Sequence, residues 1–423
     1  TAAQKRVLND IETDLSVPSP MMRLVQGDVG SGKTIVAALA ALQVIESGFQ
    51  VALMVPTEIL AEQHFRNFKN WFNALGVSTN LLIGSMGARQ KKEAYDALRS
   101  GECSFIVGTH ALFQKDVAFK QLALIIVDEQ HRFGVHQRMA LHDKGRVGAC
   151  CPHQMIMTAT PIPRTLSMTA YADLDCSVID ELPPGRKPIE TILVSADRRD
   201  QIIARMRETC RDGRQAYWVC TLIDESEVLE CQAAANTSEA LMHALPDLRI
   251  GLVHGRMKTK EKESVMERFK AGDIDLLVAT TVIEVGVDVA NASLMIIENP
   301  ERLGLAQLHQ LRGRVGRGTA ASYCVLLYKL PLSYQAEQRL RIMRDSCDGF
   351  YIAEEDLKLR GPGEVLGTRQ SGLMRFRVAD LLRDQGLIET VQHVAKDLIK
   401  DSPERAELII ERWLGHQLNY LKG

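Results

Sequence analysis

Residues 27–34 read Gly27-Asp28-Val29-Gly30-Ser31-Gly32-Lys33-Thr34 and match the pattern G-x-x-x-x-G-K-[ST] in full. An apolar run at 21–25 precedes them, and a helix-forming run at 34–45 follows. Glycines let the backbone wrap around a phosphate, so that successive N–H groups and the positive end of the helix point at the anion. The pattern therefore predicts a nucleoside triphosphate site, in which Lys33 reaches the β- and γ-phosphates and Thr34 binds Mg²⁺.

Acidic residues follow a second strand that we expect to be buried. Residues 122–127 form a continuous apolar run, which is typical of a parallel strand covered on both faces, and Asp128-Glu129-Gln130-His131 comes next. Open α/β sheets bind ligands at this carboxyl edge. We therefore predict that Asp128 holds Mg²⁺ through its water shell and that Glu129 orients and deprotonates the attacking water. For the two acids taken alone, solvated turn residues are the plainer alternative.

Two arginines lie far downstream, in the run 307–318. Arg314 and Arg317 are three residues apart, so on a helix they share one face. Two guanidiniums directed at one point suit a transferring γ-phosphate, because each stabilises negative charge that develops in the transition state. A solvated basic helix end is the alternative. Glycines at 313, 316 and 318 disfavour it, because each costs about 1 kcal/mol in a helix interior.

Strands and helices alternate as far as Tyr328, which predicts an α/β fold with parallel sheets and right-handed crossovers. In the first half we predict strands near 21–25, 51–55, 79–83, 105–108, 122–127 and 155–158, with helices at 33–47, 57–75 and 88–100. A segment rich in proline and glycine, 182–188, is interpreted as a linker. In the second half we predict strands near 189–194, 215–220, 249–253, 275–279, 294–298 and 322–328.

The alternation stops after Tyr328. Residues 333–346 and 352–360 predict two helices, arranged as a hairpin, and the amphipathic stretch 378–400 predicts further helix. The predicted domains are therefore a first lobe at 1–182, a second lobe at 183–332 and a helical C-terminal region at 333–423.

Composition excludes several other classes of protein. The net charge is −2, so the chain has no overall nucleic-acid signature and any grip on nucleic acid must come from local patches. Nine cysteines form no C-x-x-C pair, which favours a reducing cytoplasm over a disulfide framework or a zinc site. No run approaches about 20 apolar residues, so we expect no membrane span.

Eight segments, read in order, resemble the motif set of superfamily-two helicases. They are Gln4, 27–34, 56–58, 108–110, 128–131, 158–160, 279–288 and 310–317. Residues 27–34, 128–135 and 158–166 closely resemble the bacterial RecG family of branched-DNA translocases. Residues 349–372 resemble the translocation motif that this family shares with the Mfd family. The resemblance spans nearly the whole chain and implies two tandem RecA-like P-loop helicase lobes, followed by a helical hairpin and translocation element.

The resemblance also implies roles for single residues. ATP binding is assigned to Gln4, Gly27, Asp28, Val29, Gly30, Ser31, Gly32, Lys33, Thr34, Gly286, Asp288 and Gln310, with Gln4 on adenine and Asp288 on the ribose. Coupling of hydrolysis to movement is assigned to Gln130, His131, Thr158, Thr160, Arg339 and Gln370. Strand-end capping is the plainer alternative for Thr158 and Thr160. Contacts to DNA phosphates are assigned to Thr57, Thr109 and Thr280, which lie at strand ends.

We therefore expect an ATP- and Mg²⁺-dependent, monomeric, cytoplasmic motor that translocates on double-stranded DNA. Its implied task is to remodel branched DNA, namely stalled replication forks and Holliday junctions, in recombination and repair. The family carries an upstream wedge domain with an oligonucleotide-binding fold, and this sequence begins at Thr1 inside the adenine-recognition segment, so we expect the motor without its wedge. Three alternatives stay open: an Mfd-like motor that pushes RNA polymerase, a P-loop phosphotransferase or nucleotide-switched binding module, and an RNA helicase.

Overall fold

Two parallel β-sheets, each covered by helices, make up most of the computed structural model. It describes residues 1–129, 144–145, 151–159, 161, 174–182, 185, 187–221, 227–284, 289–318, 320–360 and 383–414. The predicted α/β class with two parallel-sheet lobes and a helical C-terminal region is confirmed. None of the helices within these ranges is long and apolar enough to cross a membrane.

The first lobe is built on a seven-stranded parallel sheet. Its strands are β1 (Met22–Gly27), β2 (Gln50–Met54), β3 (Thr79–Leu82), β4 (Phe105–Gly108), β5 (Leu122–Asp128), β6 (His153–Thr158) and β7 (Asp175–Ile179), in the spatial order β3-β4-β2-β5-β6-β1-β7. The helices described in this lobe are α1 (Ala2–Leu15), α2 (Lys33–Glu46), α3 (Glu58–Asn73) and α4 (Ala88–Ser100). Strand β7 was not predicted, because this edge strand is only partly buried and lacks a continuous apolar run.

Apolar residues cover both faces of this sheet, as its central strands require. All five residues of β2 and all four of β4 are buried. On one face, Phe68 of α3 stacks on Phe105 of β4, with ring centroids 4.6 Å apart. The aromatic packing fixes α3 against the sheet, so that the start of this helix lies at the carboxyl edge of β2.

The second lobe repeats the arrangement with six parallel strands. They are β8 (Glu190–Ser195), β9 (Gln215–Val219), β10 (Ile250–Val253), β11 (Leu276–Ala279), β12 (Ala292–Glu298) and β13 (Tyr323–Tyr328), in the order β10-β11-β9-β12-β13-β8. The helices are α5 (Arg199–Arg211), α6 (Glu227–Ala244), α7 (Thr259–Ala271) and α8 (Leu305–Arg312). Every strand predicted for this lobe is present within two residues of its expected start.

A helical hairpin follows the second sheet and shares its core. Helices α9 (Tyr334–Asp345) and α10 (Gly349–Arg360) bury Leu340, Met343 and Ile352 in the same apolar cluster as the strands of lobe two. Helix α10 begins three residues before the predicted start, because the Asp348 carboxylate accepts hydrogen bonds from the N–H groups of Phe350 and Tyr351. Two further helices, α11 (Ile388–Asp401) and α12 (Pro403–Leu414), end the described chain.

Candidate nucleotide site between the two lobes

The phosphate loop has the predicted setting between strand β1 and helix α2. Gly30 and Gly32 have φ values of 77° and 89°, in the left-handed region that glycine adopts at little cost. Gly32 also lies against helix α1, since an added Cβ would come 2.1 Å from Nε2 of Gln4. Both glycines are therefore needed for the path of the loop.

Lys33 is buried beneath this loop at the first position of α2. Its ammonium donates to the carbonyl oxygens of Gly27 (2.6 Å) and Asp28 (2.9 Å). Burial lowers the pKa of Lys33 below its ordinary 10.5, while the carboxylates of Asp128 and Glu129 oppose the shift. The carboxylates predicted for magnesium and water activation therefore lie within electrostatic reach of this lysine.

Gln4 lies on α1 and contacts the phosphate loop directly. Its amide Nε2 donates to the carbonyl oxygen of Ser31 at 2.9 Å, and its Oε1 accepts from the backbone nitrogen of Thr1. The hydroxyl of Thr1 in turn caps the helix by accepting from the N–H of Gln4. The side chain of Gln4 lies beside the loop, and its contact with adenine stays a prediction.

Strand β5 ends in an unusual backbone conformation. Glu129 has a φ of 56°, and its N–H donates to the carbonyl oxygen of Met157 at the end of β6. A non-glycine residue in the left-handed region costs roughly 1–2 kcal/mol, and such residues cluster at functional sites. Thr158 follows Met157 and is buried at the same sheet edge, and its coupling role stays a prediction.

Asp128 has a partner that the sequence reasoning missed. Nε2 of His64, on helix α3, lies 3.1 Å from Oδ2 of Asp128, and the His64 side chain is only 8% exposed. His64 stands 64 residues upstream in no recognised motif, so no local pattern indicates this contact.

Thr34 and Asp128 are oxygen donors of the kind that Mg²⁺ prefers. Among the described residues, no group of three or more His, Cys, Asp or Glu side chains could hold a metal ion alone. Magnesium at a nucleotide takes one or two protein oxygens and completes its shell with phosphates and water, and the Thr34 hydroxyl and the Asp128 carboxylate are donors of that kind. The residues present therefore fit the predicted ion.

The two candidate arginines lie in a turn and not on a helix, which corrects the expected shared helical face. Helix α8 ends at Arg312 with Gly313 as its cap, and Gly316 adopts a φ of 74°. Arg317 nevertheless lies within electrostatic reach of Lys33, because burial lowers the Lys33 pKa and the positive charge of Arg317 adds to that lowering. Burial raises the pKa of Tyr217 to about 12, and the positive charges of Arg314 and Arg317 both oppose that rise. The two arginines therefore lie within electrostatic reach of the same tyrosine.

The lobes meet where the phosphate loop contacts helix α8. Nε2 of His309 lies 2.7 Å from Oδ1 of Asp28, and an added Cβ at Gly313 would come 2.9 Å from Val29. Burial acts to raise the pKa of Asp28, but the bond from His309 and the charge of Lys33 outweigh it and leave this pKa below its ordinary 3.8. The contact therefore favours the charged carboxylate.

Arg312 connects this contact to the helical hairpin. Its buried guanidinium donates to Nδ1 of His309 at 2.9 Å, to the Thr191 hydroxyl, and to the carbonyl oxygens of Met343, Ser346 and Cys347. Since a guanidinium only donates, Nδ1 accepts and Nε2 of His309 carries the hydrogen donated to Asp28. Gly349, at the start of α10, packs against the same ring.

Arg339, a predicted coupling residue, lies on the hairpin. Its guanidinium donates to the carbonyl oxygen of Glu301 at 2.7 Å. Burial lowers its pKa, the charge of Arg360 adds to this, and Asp356 opposes it. Arg339 thus fixes α9 to the turn that precedes α8.

The three threonines assigned to DNA occupy the predicted strand ends. Thr57 caps α3 by accepting from the N–H of Leu60 at 3.4 Å. Thr109 and Thr280 are 1% exposed, and neither hydroxyl has a hydrogen-bond partner among the described residues. DNA contact by these residues stays a prediction.

Gln310 is buried on α8. The other assigned residues, Gln130, His131, Thr160, Gly286, Asp288 and Gln370, lie outside the described ranges.

Three family models match successive parts of the chain. Residues 1–169 match the DEAD/DEAH box helicase model, residues 195–319 match the helicase conserved C-terminal domain, and residues 346–422 match the C-terminal part of domain 3 of the ATP-dependent DNA helicase RecG. The third match includes the start of α10 and both terminal helices.

Curated relatives agree with these matches. ATP-dependent DNA helicase RecG of Escherichia coli O157:H7 is 63% identical over 99% of this chain, and the protein of that name from Haemophilus influenzae is 62% identical over the same share. The chain spans 61% of the length of each.

Solved structures share the fold. A structure of RecG bound to a three-way DNA junction is 46% identical, with a TM-score of 0.76, and the match covers 92% of this chain and 50% of that one. The helicase MrfA bound to DNA is 16% identical with a TM-score of 0.62, over 89% of this chain and 59% of that one, which shows the fold alone. The predicted resemblance is confirmed, and the chain belongs to the RecG family of ATP-dependent DNA helicases.

Proposed function

We propose that this chain is an ATP-driven motor that translocates on double-stranded DNA and remodels branched DNA. The observation that carries the proposal is the meeting of the phosphate loop with α8, where Asp28 and His309 join the two lobes. A nucleotide at this seam contacts Lys33 of one lobe and faces Arg317 of the other. Binding and hydrolysis therefore change the relation between the lobes, which is a hinge motion.

The chemistry is divided among residues of both lobes. Lys33 exchanges its carbonyl partners for the β- and γ-phosphates, and Glu129 accepts a proton from the attacking water. Arg314 and Arg317 stabilise charge on the transferring phosphoryl group. Thr34 and Asp128 would hold Mg²⁺, and the bound ion would neutralise charge on the phosphates.

Arg312 is proposed to transmit the relative motion of the two lobes to the helical hairpin. This guanidinium bonds both His309 and the carbonyl oxygens at the end of α9, so a shift of α8 against the phosphate loop is passed to the hairpin. Arg339 and Gln370 are proposed to convert that shift into movement along DNA. The substrates proposed are forks and Holliday junctions, in keeping with the junction-bound RecG structure. We also propose a monomeric, cytoplasmic protein.

ATP hydrolysis tests the proposal at low salt, where phosphate contacts are strongest. The rate is measured without nucleic acid and with linear duplex, branched DNA, single-stranded DNA and RNA. Stimulation by duplex or branched DNA, abolished in Lys33→Ala, supports the motor. Equal turnover under all conditions favours a phosphotransferase or nucleotide-switched module, and stimulation by RNA alone favours an RNA helicase.

A further inference from the structure

Among the described residues, the buried His64 makes one polar contact, and that contact is with the carboxylate predicted to hold magnesium. Nε2 of His64 lies 3.1 Å from Oδ2 of Asp128, and the two side chains are 8% and 16% exposed. Nδ1 of His64 is buried and has no hydrogen-bond partner within the part of the chain that the structure describes. Because a carboxylate only accepts, Nε2 carries the hydrogen and donates it to Asp128.

Packing fixes the position of this imidazole. Phe68, one turn further along α3, lies with its ring centroid 6.1 Å from that of His64 and stacks on Phe105 of the sheet. A ring held on one side by aromatic residues presents its Nε2–H in one direction. In such a shielded setting a hydrogen bond is electrostatically stronger than in water. His64 is thus able to set the orientation of the Asp128 carboxylate.

Helix α3 connects the His64–Asp128 contact to a residue that is predicted to bind DNA. The helix begins after Thr57, a residue predicted to contact DNA phosphate, and His64 follows seven residues later. Seven residues make about two helical turns and span about 10 Å, so Thr57 and His64 lie on similar faces of one rigid element. A displacement of the start of α3 must therefore move the imidazole relative to β5.

We propose that His64 is a positioning residue that orients Asp128 and, through helix α3, links occupation of the DNA track to the nucleotide site. The link to DNA rests on the function proposed above, whereas the orientation of Asp128 rests on the contact itself. The proposed action of His64 is through the Asp128 carboxylate and requires no contact with nucleotide or DNA.

The test compares two substitutions at this position with one control. His64→Leu removes the donor and keeps the bulk, while His64→Gln retains an amide N–H near the place of Nε2. His153→Leu is the matched control, because the His153 imidazole accepts from the N–H of Met21 at the opposite edge of the same sheet. We expect His64→Leu to lower the DNA-stimulated kcat about 10–100-fold, the usual loss when a residue that orients a metal ligand is removed.

Three readouts separate positioning from general support of the fold. In His64→Leu the loss should fall mainly on kcat, and the KM for ATP should rise no more than the magnesium enhancement of binding falls, whereas His64→Gln should recover most of kcat and His153→Leu should keep DNA stimulation. Magnesium should strengthen the binding of a fluorescent ATP analogue in wild type and do so several-fold less in His64→Leu. Wild-type kcat and wild-type magnesium enhancement in His64→Leu would overturn the proposal.

Equal loss in His64→Gln and His64→Leu, with equally lowered Tm, would also overturn it in favour of a structural role. If duplex DNA fails to stimulate the wild-type protein, the proposed motor function fails. The magnesium enhancement of analogue binding still decides whether His64 orients Asp128.

Discussion

Oδ1 of Asp28 lies 2.7 Å from Nε2 of His309, although the two residues are 281 positions apart in sequence and belong to different lobes. Nδ1 of the same imidazole accepts a hydrogen bond from Arg312, which also bonds the end of α9. One histidine thus joins the phosphate loop to the hairpin. The arrangement connects the proposed site of ATP hydrolysis to the element expected to act on DNA.

A double-mutant cycle tests whether this contact holds the lobes together. Asp28→Ala and His309→Leu should each lower the apparent free energy of urea unfolding. Their combined effect should fall short of the sum by about 1.5–3 kcal/mol, the range for hydrogen bonds to charged groups. Effects that add within about 0.5 kcal/mol would show that the two side chains are energetically independent.

Lys33→Ala should abolish ATP hydrolysis while the fold persists. The ammonium bonds the Gly27 and Asp28 carbonyl oxygens and is proposed to move from them to the phosphates, so we expect kcat to fall by at least about 100-fold. The measurement is DNA-stimulated phosphate release, with circular dichroism as the check on folding. Lys91→Ala is the control, since that amine bonds only the carbonyl oxygen of Gly84 among the described residues and should retain full activity. Wild-type turnover in Lys33→Ala would remove the catalytic assignment.

Cysteine labelling tests the burial of the core. Burial raises the pKa of Cys103, Cys210, Cys220 and Cys324 from 9.0 to about 12, while Cys347 is exposed. A rise of three units leaves about 1000-fold less thiolate at pH 8, so iodoacetamide should modify Cys347 and spare these four. Mass spectrometry of the native and urea-unfolded protein gives the comparison.

The raised pKa values of these thiols determine the direction in which the free energy of unfolding changes with pH. A thiol whose folded pKa is raised contributes stability that is fully present below pH 9.0, the ordinary value, and is lost as the pH rises toward about 12. Stability that increases above pH 9 would contradict the assignment.

Local patterns in the sequence identified the phosphate loop and nearly all the strands. The loop depends on glycines and a lysine at fixed spacing, and the central strands are continuous apolar runs. Both features can therefore be recognised within a short window of sequence. The His64 contact with Asp128 and the His309 contact with Asp28 depend on tertiary packing, which no window of sequence contains. The end of α8 was missed because a three-residue spacing was interpreted as helix despite Gly313.

Gly349→Ala should disturb the histidine that joins the lobes. An added Cβ would lie 2.7 Å from Nε2 of His309 and 2.7 Å from Cγ of Pro161, so either the imidazole or the start of α10 must move. Because the same Nε2 donates to Asp28, we expect lower DNA-stimulated ATP hydrolysis and a stability loss of about 1–3 kcal/mol, as for overpacked cores. Gly386→Ala is the control, since its added carbon meets no described atom within 4 Å and should change stability by less than about 0.5 kcal/mol. Thermal unfolding and ATPase assays on both variants give the measurement, and identical behaviour of the two would show that the close approach at Gly349 is without consequence.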